Sequence, residues 1–272
     1  MKNENNNIYY LSIIFIIIFL IFIYNNYYTK QNIINEKYAN ENKKSIEIII
    51  ARYNENLEWT LEYPFNQYKY TVYNKGFNDN FEKSRVEKVI ELNNVGKCDH
   101  TYLYHIIENY NDLKDITVFL PGSIDLKYKK MKSKKLLDYI KKFDKAIFLS
   151  NSNKNIKNMF YNFVLNRHLT ASKQNRDENN YNNTDLKKSL FRPFGKWFDK
   201  HFGDVDVNCH TYWGIFSIDK RDIIQNPITW YEGLIKELSD HFSPEAGHFF
   251  ERGWCAVFHP LNNTVVIHDF KV

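Results

Sequence analysis

Polar side chains come directly after a short apolar run near the start of the sequence. Arg52, Tyr53, Asn54 and Glu55 follow residues 45–51, which are rich in isoleucine. Such a run predicts a buried strand, and open α/β sheets bind ligands at the carboxyl ends of their strands. An arginine there can donate to a diphosphate, and a glutamate or asparagine can accept from a base or ribose. The alternative is a strand-to-helix turn capped by Asn54.

A second polar segment begins at Asn94. Gly96 permits a tight turn, and Lys97 lies where it can meet a phosphate near the N-terminus of the helix that we expect next. The helix also offers metal ligands, but His100 and His105 are five positions apart, about 140° around a helix. They do not share a face as a zinc pair would, so we expect no metal site here.

A third segment ends the next buried apolar run, residues 115–120. Gly122 allows the backbone to approach a ligand closely, and Asp125 supplies a carboxylate beside it. If both runs are parallel strands, this segment lies at the same sheet edge as the first one. The alternative is an ordinary Pro-Gly turn.

A fourth segment lies near the end of the chain and has helical spacing. Glu245, His248 and Glu251 include pairs that share one face of a helix, and any of them could serve as a general base. Two tryptophans, Trp213 and Trp254, are candidates for stacking on a sugar ring. The alternative is a structural Glu–Arg pair with aromatic side chains in the core.

An Asp-x-Asp motif is present at Asp204 and Asp206. Two such carboxylates can hold Mg²⁺ or Mn²⁺ against a nucleotide diphosphate. The motif does not end a buried hydrophobic strand, as metal-binding examples usually do, so the signal is weak. The sequence therefore names no metal ligands and leaves magnesium or manganese open as a cofactor.

The elements that must position these residues alternate between strand and helix along the chain. We predict strands at residues 45–51, 68–73, 115–120, 146–149, 212–218 and 264–267, and helices at residues 81–92, 100–109, 133–143, 155–167 and 228–241. The alternation predicts an α/β fold with a mostly parallel mixed sheet and flanking helices. The polar residues 171–187 interrupt the pattern and predict a mobile loop.

The N-terminal region carries a long hydrophobic run at residues 8–24 without a charged side chain. At about 1.5 Å per residue, this run covers most of a ~30 Å hydrocarbon core, and no small-residue cleavage pattern follows. We therefore predict a tail at residues 1–7, a single-pass membrane anchor, a polar stem at residues 25–44 and a domain at residues 45–272. Its sidedness, and the choice between a secretory-pathway and a virus-associated membrane, stay open.

Composition excludes two classes of protein. The net charge is +5, but the lysines are scattered and form no basic stripe, so we expect no nucleic-acid partner. The three cysteines, Cys98, Cys209 and Cys255, are too few and too widely spaced for a disulfide-rich scaffold. One disulfide bridge and three free thiols both remain consistent with the sequence.

Four segments together resemble a family of uncharacterised proteins from fungi, bacteria and large DNA viruses. The signature of that family opens with A-R-Y-N-E and continues with Y-N-K-G, N-V-G-R-E-A-H-T-Y-L and a V-F-L-Q-G strand end. The matching positions here are residues 51–59, 73–76, 94–103 and 118–122. Lys97 replaces the arginine of the family pattern, and Cys98 replaces its glutamate.

The layout is also similar to glycosyltransferases of the A-type nucleotide-sugar fold, whose first strand ends in T-Y-N-E as residues 48–55 nearly do. Their metal-binding carboxylates are missing here, because residues 120–123 fill that position. The resemblance implies that the first three polar segments bind a nucleotide donor and that the fourth serves the acceptor.

These observations lead to two functional hypotheses. The first is a membrane-anchored glycosyltransferase-like protein that moves a sugar from a nucleotide donor to a glycan or protein acceptor. The second is a non-catalytic membrane-anchored module that keeps the fold and binds a glycan or a protein. The missing carboxylates at residues 120–123 favour the second hypothesis, and the order of the polar segments favours the first.

Overall fold

The central sheet contains five strands in the computed structural model, which describes residues 20–31, 43–176 and 185–271. A separate pair of strands completes the β structure of these residues. The strands are β1 (Ile46–Arg52), β2 (Tyr70–Asn74), β3 (Val86–Glu91), β4 (Ile116–Pro121), β5 (Ile147–Leu149), β6 (Phe216–Asp219) and β7 (Val265–Ile267).

The order of strands in the main sheet is β3-β2-β1-β4-β6. The first four strands are parallel, and β6 runs antiparallel to β4 at the edge. The second sheet pairs β5 and β7 in parallel. The predicted α/β class with a mostly parallel mixed sheet is confirmed, and the ends of β1, β2 and β4 lie together at one edge, called the carboxyl edge below.

Helices flank the sheet. Residues 20–31 are helical and are called α1. The others are α2 (Lys97–Glu108), α3 (Lys127–Phe143), α4 (Ile156–Phe160), α5 (Phe194–Phe202), α6 (Lys220–Ile224), α7 (Ile228–Ile235) and α8 (Glu245–Val257), with 3-10 turns at Glu58–Leu61, Phe65–Gln67 and Lys236–Leu238. The described residues from Lys44 onward form one compact unit, which does not include α1.

The central strand β1 is buried on both faces because successive side chains point to opposite sides of a strand. Ile49 packs with side chains of α2, α5 and α8, whereas Ile48 and Ile50 pack with side chains of α3. Burial of each such side chain contributes about 1.5–3 kcal/mol of transfer free energy. The two apolar layers hold the carboxyl ends of β1 and β4 rigidly side by side.

One predicted helix is a strand. Residues 81–92 have apolar positions at helical spacing, but Val86–Glu91 form β3 and pair in parallel with β2. Val86, Val89 and Ile90 are β-branched, and pairing with a formed neighbouring strand outweighs a marginal helical pattern. The other predicted strands and helices are present, with changed boundaries.

Two of these boundaries matter for the site. The helix predicted at residues 155–167 ends at Phe160, and an irregular segment follows. The strand predicted at residues 212–218 begins only at Phe216, because Trp213 and Gly214 have positive φ angles of 71° and 64° and form a turn. Both changes put irregular backbone near the carboxyl edge.

The membrane prediction needs correction. No helix in the described parts of the chain is both long and apolar enough to span a bilayer, which contradicts the single-pass membrane localisation. Most of the hydrophobic run at residues 8–24 lies outside the described residues, as do residues 1–7. The start of the predicted stem, residues 25–31, is helical, and residues 177–184 of the predicted mobile loop also lie outside the description.

Candidate active site

The turn that follows β1 is held by Arg52. This side chain is buried, and its guanidinium donates to the carbonyl of Glu55 (2.8 Å), to the side chain of Asn74 (2.5 Å) and to the carbonyl of Asn78 (2.8 Å). It also stacks on Phe81, 4.4 Å from the ring centre. Arg52 therefore positions the turn, and its donors are not directed at a diphosphate.

Glu55 lies beneath this turn, next to the end of β4. Its carboxylate accepts the backbone N–H of Tyr53 (2.8 Å) and the side-chain amide of Asn175 (2.6 Å). A Cβ atom at Gly122 would lie 2.7 Å from that carboxylate, so Gly122 makes room for Glu55. The backbone N–H of Asn54 also donates to Asn175, at 3.3 Å. The first and third polar segments are thus in direct contact.

The start of α2 lies at the same edge of the sheet. Gly96 has a φ of 59°, and a Cβ atom there would lie 2.5 Å from the carbonyl oxygen of Leu238, so glycine is required. Half-buried Asn94 belongs to the loop before this turn. The buried Lys75 donates to the carbonyl of Lys97 (2.5 Å) and fixes the first turn of the helix.

Lys97 itself is half-buried and brings a positive charge to the start of α2. Burial lowers its pKa to about 8, although the nearby charges of Cys98, Asp99 and Glu251 act in the opposite direction. Asp99, two positions further on, accepts a hydrogen bond from Trp254 of α8 (2.9 Å). The second and fourth segments therefore share one electrostatic environment.

Two lysines of α3 extend this cationic group. Lys132 is fully buried, donates to the hydroxyl of Thr211 (2.5 Å) and to the carbonyl of Tyr212 (3.2 Å), and has a pKa lowered by burial to about 7. Lys129 donates to Ser123 (2.6 Å), and burial lowers its pKa as well. These lysines were missed in the sequence because α3 is rich in lysine and resembles a solvent-exposed helix.

Lys129 connects the two ends of the candidate site. The charges of Glu55 and Glu251, together with those of Cys98 and Asp125, oppose the lowering of its pKa by burial. Glu55 belongs to the first polar segment and Glu251 to the fourth. Contacts of α3 agree with this: Lys129 donates to Ser123 of the third segment, and the neighbouring Tyr128 packs on Trp213, whose N–H donates to Glu251.

Glu251 is the central carboxylate of this group. It accepts the backbone N–H of Trp213 (2.5 Å) and lies 3.9 Å from Nδ1 of His248 and 3.5 Å from Arg252. Burial raises its pKa, but the charges of His248 and Arg252 and the hydrogen bond from the N–H of Trp213 outweigh this effect and lower the pKa to about 2. Glu251 is ionised at neutral pH.

His248 lies one helical turn before Glu251. Its Nε2 is buried and has no hydrogen-bond partner among the described residues. Its ring packs against His168, with 4.5 Å between the ring centres. Burial lowers its pKa, which the neighbouring Glu251 only partly opposes, so the imidazole is largely neutral at pH 7. A neutral imidazole with a free nitrogen can accept a proton.

Arg252 and Trp213 complete the group of side chains around Glu251. The guanidinium of Arg252 lies 3.7 Å from the centre of the Phe163 ring and donates to the carbonyl of His248 (2.8 Å), while its Nε has no partner among the described residues. The half-buried ring of Trp213 packs on Tyr128 at 4.6 Å. Trp213 is therefore on the surface of this group.

Two residues predicted for the site lie in the interior instead. Glu245 is fully buried, accepts the backbone N–H of Leu165 (2.8 Å) and that of Ser189 (2.9 Å), and pairs with Arg192 (3.1 Å). Trp254 is also fully buried and donates to Asp99 (2.9 Å) among core aromatic side chains. Neither can contact a ligand without unfolding, so we assign them structural roles.

The Asp-x-Asp motif lies elsewhere, in an exposed loop after α5. Asp204 pairs with Lys157 (3.3 Å), and Asp206 accepts from Asn155 (2.6 Å). Within residues 20–31, 43–176 and 185–271, no group of three or more acidic, histidine or cysteine side chains has the arrangement of a metal site. The motif is thus separate from the segments that gather at the carboxyl edge.

The cysteines divide into one disulfide and one thiol. Cys209 and Cys255 are bridged, with a Cα–Cα distance of 5.9 Å, and tie the segment before Trp213 to α8. Cys98 is free, and burial raises the pKa of its thiol well above the usual range. Burial, helped by the charge of Glu251, also raises the pKa of Asp99 to about 7.

Comparison with known proteins identifies a family but no activity. No curated protein matches the chain. A family model described as "Protein of unknown function (DUF3431)" matches residues 48–268, which include all four polar segments. The expectation of an uncharacterised family is therefore confirmed: the chain belongs to the DUF3431 family.

Proposed function

We propose that the protein is a glycosyltransferase-like enzyme that moves a sugar from a nucleotide donor to a glycan or protein hydroxyl. The observation that carries this proposal is the convergence at the carboxyl edge of the sheet. Arg252 lies 3.5 Å from the ionised Glu251, whose charge also acts on Lys97 and Lys129. Lys129 donates to Ser123 (2.6 Å), next to Gly122, which packs against Glu55 of the turn after β1. Ligands of open α/β sheets bind at this edge.

The lysines support an anionic donor. Burial lowers the pKa of Lys97, Lys129 and Lys132, which means that their charged forms are destabilised in the free protein. A diphosphate placed among them would supply the missing counter-charge and favour protonation. The N-terminus of α2, where Lys97 lies, adds a further attraction for a phosphate. We therefore assign the diphosphate to Lys97 and Lys129.

The acceptor side centres on His248. Glu251 has a pKa of about 2 and is a poor proton acceptor, whereas the largely neutral His248 has an unpartnered Nε2. In this assignment, His248 takes the proton of the acceptor hydroxyl, and the carboxylate of Glu251 near Nδ1 stabilises the imidazolium that forms. The half-buried ring of Trp213 offers a surface for a sugar.

The first test is binding. Full-length protein would be melted with a panel of UDP- and GDP-sugars, each with and without Mn²⁺, against the same sugars without a nucleotide. We expect at least one nucleotide sugar to raise the melting temperature at concentrations above its Kd. No shift across the whole panel, in either metal condition, would contradict the proposal.

A second measurement separates the enzyme from a non-catalytic binding module. The nucleotide sugar would be titrated into the protein by calorimetry in two buffers of different ionisation enthalpy. Binding should take up protons at pH 8, because the phosphate raises the lowered pKa values of the lysines. Release of the nucleoside diphosphate with an acceptor present should then follow. Binding with proton uptake but without release would favour the binding module.

A further inference from the structure

A strap of residues 168–176 crosses the candidate site. At one end, His168 packs against His248 of α8, with 4.5 Å between the ring centres. At the other end, Gln174 and Asn175 bind the turn after β1. The strap therefore contacts both α8 and the turn after β1, and its contacts with that turn follow a regular pattern.

The first of these contacts is made by the side-chain carboxamide of Asn175, which forms two hydrogen bonds. The oxygen of Asn175 accepts the backbone N–H of Asn54 (3.3 Å), and its nitrogen donates to the carboxylate of Glu55 (2.6 Å). Glu55 is buried and held in place by the N–H of Tyr53, so this pair of groups exists independently of the strap. It presents one donor beside one acceptor.

The second contact repeats this pattern. The oxygen of Gln174 accepts the backbone N–H of Asn56 (2.7 Å), and its nitrogen donates to the carboxylate of Asp125 (3.3 Å). Asp125 is exposed and belongs to the turn after β4. Two neighbouring carboxamides of the strap are thus each bound by one backbone N–H and one carboxylate.

A planar edge with one acceptor beside one donor is also what a nucleobase presents on its Watson–Crick side. We propose that the N–H groups of Asn54 and Asn56, with the carboxylates of Glu55 and Asp125, form a nucleobase subsite that the carboxamides of the strap occupy in the free protein. This inference rests on the proposed function and adds the base of its donor. A base that enters must displace at least one carboxamide.

Two features support a base at this place. The subsite adjoins the proposed diphosphate site, since Lys129 donates to Ser123 (2.6 Å), which lies between Gly122, packed against Glu55, and Asp125. A nucleoside diphosphate needs this adjacency, because its base and its phosphates are joined by one ribose. The subsite is also preformed, because the buried guanidinium of Arg52 fixes the carbonyl of Glu55 and so the shape of the turn.

The test compares three full-length proteins: the wild type, the double variant Gln174→Ala/Asn175→Ala, and the control Leu169→Ala, which removes an exposed apolar side chain from the same strap. Isothermal titration measures the Kd of UDP, GDP, ADP and CDP, and of pyrophosphate as a probe without a base. We expect the double variant to bind at least one nucleoside diphosphate about tenfold more tightly, as for a strap that is closed about nine-tenths of the time.

Pyrophosphate should bind the three proteins equally, because it needs no base subsite. Hydrogen exchange provides the second readout: the amides of Asn54 and Asn56 should exchange faster in the double variant and regain protection with the nucleoside diphosphate, but not with pyrophosphate. Equal or weaker nucleotide binding by the double variant would overturn the inference and leave the proposed function standing. Absence of binding by every probe to every protein would overturn both.

Discussion

At the amino edge of the sheet, charged side chains form ion pairs and are partly exposed, whereas the lysines of the carboxyl edge have no ion-pair partner among the described residues. Asp219 accepts from Lys44 (2.7 Å) and from Arg221 (2.8 Å), and Asp115 accepts from Ser45. Burial raises the pKa of Asp219, but the hydrogen bonds from Arg221 and Lys44 outweigh this effect and lower the pKa to about 2. Both carboxylates are stabilised in their charged form by partners of this chain.

The lysines of the carboxyl edge show the opposite behaviour. Lys97, Lys129 and Lys132 form no ion pair with any residue that the structure describes, and burial lowers the pKa of each. A cavity of about 400 Å³ lies at the amino edge, beside Asp219 and Arg221. This cavity therefore lies beside carboxylates that already have partners in this chain. The unmatched cations are the better guide to a ligand site.

The largest effect should come from the residue that carries the chemistry at the carboxyl edge. His248→Ala should lower turnover of the nucleotide sugar about 10³-fold, because general-base catalysis contributes about 10²–10⁴-fold. The KM of the donor should change little, since His248 is assigned to the acceptor. His259→Ala, which removes an exposed histidine just after α8, is the control. Turnover within threefold of the wild type in His248→Ala would reject the base assignment.

Arg52 tests whether every cation of the carboxyl edge belongs to the ligand site. Arg52→Met should lower the free energy of unfolding by about 3 kcal/mol, because it removes several hydrogen bonds of a buried guanidinium. Arg85→Met, which removes a single hydrogen bond to Tyr68, should cost less than about 1 kcal/mol. Urea denaturation measures both. If Arg52→Met kept full stability but lost donor binding, Arg52 would be a ligand-binding residue and not one that holds the turn.

The sheet and its carboxyl edge could be predicted from the sequence because apolar runs and local polar motifs encode them. The runs at residues 45–51 and 115–120 became β1 and β4, and the polar residues after them meet. For the edge strand β3 the sequence predicts a helix, since Val86, Val89 and Ile90 have helical i, i+3, i+4 spacing, and only pairing with β2 makes the segment a strand. Pairing between strands that are distant in the sequence cannot be predicted from one segment alone.

The site was predicted less completely, for a physical reason. Lys129 and Lys132 share a helical stripe with the buried Leu136 and Ile140, and a lysine in an apolar stripe is a signal that could have found them. Glu245 has the same residue type and helical context as Glu251, and only tertiary burial separates their roles. The strap residues gave no signal, because carboxamides in a polar loop have no periodicity.

Asp219 tests the amino edge through pH. Asp219→Asn should cost about 2 kcal/mol of unfolding free energy at pH 6, because the folded pKa of about 2 lies below the ordinary aspartate value of 3.8. This stability is present above the unfolded pKa and is lost as the pH falls through the folded pKa. Urea denaturation at pH 6 and near pH 2 should therefore show a shrinking difference. A difference independent of pH would refute the ion-pair explanation.

The smallest effect gives the sharpest comparison, because it concerns neighbours on one helix. Lys129 donates to Ser123 at the carboxyl edge (2.6 Å), whereas Lys130 pairs with the exposed carboxylate of Glu62 (2.6 Å). Lys129→Met should weaken binding of the nucleotide sugar about tenfold, since one charge-assisted contact contributes roughly 1.5 kcal/mol. Lys130→Met should change the Kd less than twofold, because exposed ion pairs contribute little. Equal losses in both variants would mean that the ligand responds to net charge alone, and the distinction between the edges would then fail.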